Sequence, residues 1–346
     1  MIPESSPPSL PPSETPQIVP TPPSHFTPEM AQAAELVGRL ATEIQRIIIG
    51  QPDAIRDLLA TWLSGGHLLL EGVPGLGKTR LAMALARTCS GSFRRIQFTP
   101  DLMPSDVTGH SLYDMKAQQF TVRHGPVFAH LVLADEINRA PAKTQSAMLE
   151  LMQERQVTID GTAYPLPSPF MVLATQNPIE QEGTYPLPEA QLDRFLMKIV
   201  IDYPNELEEH RIVTAAAGAP GGEGLSASDL SAVCSPEELA WCQGIATSVA
   251  AEPEVIGYAI SLVRATRSTP NLSLGAGTRG AIALVQVARA YALLDGRGYV
   301  VPDDIKTAAL PVLRHRVTVA PEAAISGQSA DQVLSALLKS VPAPRR

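Results

Sequence analysis

Four short segments carry residues whose types and spacing could act together on a chain of phosphates. Residues 72–79 read GVPGLGKT, the pattern Gly-x-x-x-x-Gly-Lys-Thr, directly after the apolar run HLLLE and before RLAMALA. Glycines in such a turn let backbone N–H groups point inward at phosphate oxygens, and the helix that follows adds positive potential at its N-terminus. Gly72, Val73, Pro74, Gly75, Leu76 and Gly77 are read as the cradle, with Arg80 just inside the helix. Lys78 then reaches the outer phosphates and the Thr79 hydroxyl ligates Mg²⁺. A second run, HLVLADE, ends in Asp135 and Glu136. Two acids closing an apolar strand are costly without a cation, and a magnesium nucleotide supplies one. Asp135 is read as holding Mg²⁺ through water and Glu136 as orienting the attacking water. In ATQNP, Asn177 could contact both the γ-phosphate and that water, although Asn177 before Pro178 also suits a turn. Phosphoryl transfer gains from a positioned cation facing the developing charge. The α/β domain as read has no obvious second cation near its own γ-phosphate, so Arg194 in QLDRF is read as serving the site of a neighbouring copy.

These residues need a scaffold that brings strand ends together. GHLLLEG, FRRIQFTP, AHLVLADE and PFMVLATQNP are short apolar runs separated by helix-like or loop segments. That alternation predicts an α/β domain with a buried parallel sheet covered on both faces, whose ligands sit at the C-terminal strand ends. The domain is expected over residues 29–205, opening on the amphipathic stretch EMAQAAELVGRLATEIQRIII. A linker is expected over 206–225, where GAPGGEG lies, and an all-helical lid over 226–346. Two insertions interrupt the alternation. QVTIDGTAYPL carries an Asp160-Gly161 hairpin turn, and GHSLYDMKAQQFTVRHGP is too long for an ordinary connection.

Composition narrows the function. A chain of 346 residues with 45% hydrophobic content suits about two packed units. Its net charge of -8 argues against a protein that coats nucleic acid. Cys89, Cys234 and Cys242 show neither pairing nor metal-ligand spacing, which suits a reducing compartment. No apolar run approaches the roughly 18 residues of a membrane helix, and no signal-peptide pattern opens the chain, so a cytoplasmic protein is expected. Residues 1–28 are dense in proline and serine and are expected to be a disordered tail.

The motifs together resemble the AAA+ ATPases, which join a P-loop NTPase core to a helical lid, and within them the MoxR family. LADEINRAPAKTQSAMLELMQERQVTIDG and ATQNPIEQEGTYPLPEAQLDRFLMK are similar to MoxR sequence nearly residue for residue, and the resemblance covers about residues 35–320. It implies a Mg²⁺-dependent ATPase that forms rings, usually hexamers, with ATP at each subunit junction. It implies that Arg194 is the arginine finger, with Arg139 in INRAP as its rival, that Asn177 is sensor 1, and that Arg279 in GAGTRG is sensor 2 on the lid. Ile49 and Gly50 in RIIIGQ match the segment that packs on adenine. Gly277, Thr278 and Gly280 depart from the family's usual GASPRA, which leaves the start of the lid helix less rigid. The two insertions match elements that carry nucleotide-driven motion to a protein client, commonly one with a von Willebrand factor A domain, or to a metal-cofactor enzyme. A nucleic-acid motor, a magnesium-chelatase-like subunit and a nucleotide switch without turnover are the alternatives. The first insertion sets Lys116, Arg123 and His124 against Asp114, hardly a basic strip.

Overall fold

The computed structural model describes residues 26–178, 183–217 and 226–344. Most of the proline-rich tail therefore lies outside the described residues. Thr27 caps the first helix, accepting the Met30 N–H at 3.2 Å, and Pro28 takes its first turn, where no backbone donor is needed. Helices α1 (Pro28–Gln45) and α2 (Pro52–Leu63) precede strand β1 (Leu68–Glu71) and helix α3 (Lys78–Thr88). Then follow β2 (Phe93–Gln97), α4 (Pro104–Thr108), the hairpin β3 (Gly109–Asp114) and β4 (Gln119–His124), β5 (Leu131–Asp135) and α5 (Ala142–Glu154). A second hairpin, β6 (Gln156–Ile159) and β7 (Thr162–Pro165), leads to β8 (Met171–Gln176), α6 (Glu189–Leu192) and β9 (Met197–Val200). Its turn residues Asp160 and Gly161 both take positive φ, as the Asp-Gly pair predicts.

The strands β2-β5-β8-β1-β9 form one parallel sheet. Four of them are the apolar runs of the sequence. The fifth, β9, was not expected: MKIV follows the arginine segment without the glycine or proline boundary that marks the others. Central β5 and the first five residues of β8 are buried throughout, as strands covered on both faces must be. Edge strand β2 carries Arg94 and Arg95, charges that discourage further strand pairing.

Strand alternation divides the core. Leu68, Leu70, Leu133 and Leu173 pack with α1, α2, α3 and the lid, whereas Leu69, Val132, Ala134 and Val172 pack with α5 and the second hairpin. The lid comprises α8 (Pro236–Ser248), α9 (Pro253–Ser268), α10 (Thr278–Leu294), α11 (Pro302–Leu313), α12 (Pro321–Ile325) and α13 (Ala330–Ser340). It is not wholly helical, because β10 (Leu272–Leu274) pairs antiparallel with β11 (Thr318–Val319). The segment expected as a linker is also different: α7 (Glu206–Ala217) occupies its first part, and 218–225 lie outside the described residues. Lid and sheet domain share one continuous core, and fully buried Tyr291 of α10 donates its hydroxyl to Asp57 of α2 across their seam.

Candidate active site

The C-terminal edge of the sheet gathers the phosphate loop and both acids. Gly75 and Gly77 take φ of +86° and +80°, the left-handed region that favours glycine, and Gly77 caps α3. Lys78 Nζ donates to the carbonyls of Gly72 and Val73, the latter at 2.9 Å, so the loop curls around its own lysine. Thr79 Oγ1 donates to Asp135 Oδ2 at 3.3 Å. Asp135 is only 6% exposed. Its Oδ1 accepts Thr175 Oγ1 at 2.6 Å, and its Oδ2 accepts Arg95 Nε at 3.1 Å and Nη2 at 2.6 Å. These charge-assisted bonds offset the cost of burying a carboxylate.

Glu136 sits in the left-handed region at φ 57°, a conformation that costs a residue bearing Cβ about 1 kcal/mol or more. Its N–H donates to Thr175 Oγ1 at 2.8 Å, which fixes the turn after β5. Its carboxylate accepts Gln97 Nε2 at 2.8 Å and pairs with Arg139 Nε at 2.9 Å. Asn177 is buried at the end of β8, the strand beside β5, and its carbonyl lies 3.4 Å from Asn138 Nδ2. The structure thus brings Lys78, Thr79, Asp135, Glu136 and Asn177 to one edge.

The same edge suits Mg²⁺. The Thr79 hydroxyl and Asp135 carboxylate are hard oxygen donors in contact, and this ion prefers one or two protein oxygens with phosphates and water completing its shell. Among the described residues no cluster of three His, Cys, Asp or Glu forms an all-protein metal cage.

A pocket of about 440 Å³ opens beside the loop, lined by Ile47, Ile49, Leu76, Tyr203, Ile212 and Val213 among others, a size and character suited to a nucleotide base. Arg80 and Pro74 also line it. Gly50 turns the wall with φ +75°, and a Cβ there would come within 2.7 Å of the Glu208 carboxyl carbon. Ile212 and Val213 escaped the sequence reading because residues 206–225 were taken for linker; the signal was their apolar pair within the charged ELEEHRIV, and Tyr203, inside the expected α/β domain, was not singled out. Arg95 and Gln97 escaped it too, although an arginine and a glutamine two apart in a strand share a face.

Arg194 and Arg279 stand elsewhere. Arg194 Nη1 donates to Leu149 O at 3.3 Å and to Gln153 Oε1. Arg279 lies 3.5 Å from Asp193 Oδ2. Both line a second pocket of about 320 Å³ with Gly66 and His67, which precede β1. The four residues of β1, about 13 Å of strand, separate this N-terminal edge from the phosphate loop. Neither arginine reaches the phosphate loop of its own chain, whereas Arg139 contacts its own Glu136.

The N-terminal edge is braced by buried polar groups. Asp193 Oδ1 accepts Arg316 Nε at 2.8 Å, and the same guanidinium donates to the carbonyls of Phe195, Leu196 and Val312. Burial lowers the Arg316 pKa, and the Asp193 carboxylate opposes that. His67 accepts the Val172 N–H at Nδ1 (2.9 Å), which leaves Nε2 to donate to Met152 O (3.0 Å). Burial pushes its pKa down to about 4.

Comparison with known proteins agrees with this geometry. Residues 67–197 match the model of the ATPase family associated with various cellular activities, and residues 264–337 match the AAA lid domain. The chain is 41% identical over 337 residues to chaperone MoxR1 of Mycobacterium tuberculosis, covering 93% of this chain and 88% of that one. It is 45% identical over 309 residues to the uncharacterized protein YeaC of Bacillus subtilis, covering 89% and 95%, and 31% identical over 330 residues to protein MoxR of Methylorubrum extorquens, covering 90% and 96%. A crystal structure of a candidate ATPase from Cytophaga hutchinsonii superposes with a TM-score of 0.83 at 41% identity, covering 92% of this chain and 97% of that one. With a phosphate loop, an acid pair and a lid placed as such enzymes need them, and with relatives matched along nearly their whole length, the chain belongs to the MoxR family of AAA+ ATPases.

Proposed function

We propose that this ATPase works in the cytoplasm as a ring of its own copies, probed first as a hexamer, and spends Mg²⁺-dependent ATP hydrolysis on remodelling or activating a protein client. The carrying observation is the separation of the two edges. Lys78, Glu136 and Asn177 stand at one end of the sheet, and Arg194 stands at the other with Arg279 beside it. A cation that faces the γ-phosphate from Arg194 must then come from a neighbouring copy, which is what ring closure supplies.

In this reading the backbone N–H groups of residues 75–79 and the Lys78 ammonium bind the phosphates, and Ile49, Tyr203 and Val213 enclose the base. Thr79 and Asp135 would hold Mg²⁺, which when bound would supply charge neutralisation on the phosphates. Glu136 orients the water and takes its proton once its carboxylate leaves Gln97 and Arg139. Asn177 fixes the other side of that water, and Arg194 and Arg279 of the next copy stabilise the leaving charge.

The first hairpin suits a protein client. Leu112, Tyr113, Met115 and Phe120 are all exposed on it, with Tyr113 and Phe120 packed edge to face at 5.2 Å. Such a surface grips apolar side chains better than a phosphate backbone. The relative named a chaperone supports the same class of work, and the family resemblance points to a von Willebrand factor A domain partner or a metal-cofactor enzyme. Among the described residues no helix is long and apolar enough to cross a membrane.

The test is phosphate release by Arg194→Ala and Glu136→Gln, alone and mixed in equal amounts. Each alone should be nearly inactive and the mixture should recover activity, because the arginine of one copy then meets the glutamate of the other. A mixture that stays inactive while wild type turns over would assign Arg194 to its own chain and pass the trans role to Arg139.

A further inference from the structure

We infer that Arg95 is a positioning residue that competes with Mg²⁺ for Asp135 and so sets the magnesium requirement of nucleotide binding; this rests on the reading of Thr79 and Asp135 as the metal site. Residues 93–97 alternate across β2, which places Arg95 and Gln97 on one face. Gln97 is paired with Asp135 in the strand register and Arg95 with Leu133, two residues earlier. Each side chain reaches one acid: Arg95 holds Asp135 and Gln97 holds Glu136.

The competition follows from counting lone pairs. A carboxylate offers about four acceptor sites, two on each oxygen. Oδ1 of Asp135 accepts the buried Thr175 hydroxyl at 2.6 Å. Oδ2 faces Thr79, and it already meets three donors: the Thr79 hydroxyl at 3.3 Å and two guanidinium nitrogens at 3.1 and 2.6 Å. A metal held by Thr79 and Asp135 would draw on that same oxygen, because it is the carboxylate oxygen in contact with Thr79. Thr79 can keep its place, since its oxygen would offer a lone pair to the metal while its O–H still donates to Oδ2, so Arg95 is the group that would yield. Charge acts in the same direction, because a guanidinium and a divalent cation about one oxygen repel each other. Arg95 can yield without losing all its partners: its Nη2 also donates to Gln97 Oε1 at 3.1 Å, and its side chain is 49% exposed, with room to swing along β2.

A surface salt bridge of no consequence is the competing account, and metal dependence separates the two. The experiment titrates Mg²⁺ into the full chain with a fluorescent ADP analogue and reads the midpoint for nucleotide binding, with binding in EDTA as the baseline. Arg95→Gln should lower the Mg²⁺ midpoint by roughly threefold or more. Arg95→Lys, which keeps the charge but loses the two-pronged grip, should lower it by less; it also serves if the glutamine variant does not fold. Arg94→Gln removes the same charge on the opposite face of β2 and should leave the midpoint unchanged. An Arg95→Gln midpoint equal to or above wild type overturns the inference. Wild-type binding that ignores Mg²⁺ would instead overturn the metal reading beneath it.

Discussion

At the C-terminal edge of the sheet the two acids are held by side chains: Asp135 by Thr79, Arg95 and Thr175, Glu136 by Gln97 and Arg139. At the N-terminal edge the polar groups are held largely by main chain, with His67 on Met152 O and Val172 N and Arg316 on three carbonyls. Exposed side-chain partners such as Arg95 and Arg139 can change by rotamer within nanoseconds, whereas main-chain partners move only with the backbone. One edge is therefore free to rearrange during a catalytic cycle. The other gives Arg194 and Arg279 a fixed platform.

That contrast predicts where substitutions register. Lys78→Ala, at the first edge, should reduce phosphate release by about a hundredfold or more while leaving unfolding free energy within about 1 kcal/mol of wild type. A comparable loss of stability, read by denaturant titration, would mean the phosphate loop is itself a structural support. Asp193→Ala, at the second edge, should do the reverse first: it leaves the Arg316 cation buried without its carboxylate and should cost about 3 kcal/mol. An unchanged denaturant midpoint would show that the three carbonyls suffice.

Acid should also act through the second edge. Burial lowers the pKa of His67 to about 4 and, with Arg316 beside it, that of His315 well below the usual histidine range. The unfolded chain takes these protons near pH 6.5 and the folded chain does not, so the stability they contribute is present above pH 6.5 and lost as pH falls. Asp57 opposes them. Burial raises its pKa to about 6 against the lowering hydrogen bond from Tyr291, so its contribution is present at low pH and lost as pH rises from about 4 to 6. Asp57→Asn removes that opposing slope. Between pH 7 and 5 the variant should lose about 2 kcal/mol or more, roughly 1 kcal/mol beyond the wild-type loss. Equal slopes for the two proteins would show that Asp57 is not the opposing group.

Legibility differed between the two edges for a physical reason. Lys78, Thr79, Asp135, Glu136 and Asn177 are local in sequence to the strand ends that carry them, so apolar runs closing in polar residues placed them without knowledge of tertiary contacts. Arg95 and Gln97 act across the sheet, and nothing in FRRIQ says that its neighbour is β5 rather than β8. The pocket beside the phosphate loop was half legible: the family resemblance pointed to Ile49 and Gly50 in RIIIGQ, but the opposite wall is α7, which buries no residue and so shows no core-facing stripe. The placement of Arg279 beside Arg194 depends on how the lid packs against the sheet domain, a property of the shared core rather than of GAGTRG.

The smallest effect tests whether the first edge yields as its side-chain contacts imply. Gly50→Ala must hold φ +75° and bring a Cβ to 2.7 Å from the Glu208 carboxyl carbon. That carboxylate is the far end of a side chain on α7, where Oε2 accepts the Asn205 N–H at 3.0 Å, and it can rotate away. The cost should then be little more than the left-handed backbone, about 1 kcal/mol. Gly38→Ala, inside α1 with nothing within 4 Å of the added Cβ, is the control and should stabilise by up to about 1 kcal/mol. Thermal unfolding with and without ADP separates strain from binding. A loss of about 3 kcal/mol in Gly50→Ala, present equally with and without nucleotide, would mean that α7 is pinned against the turn and that this edge is as rigid as the other.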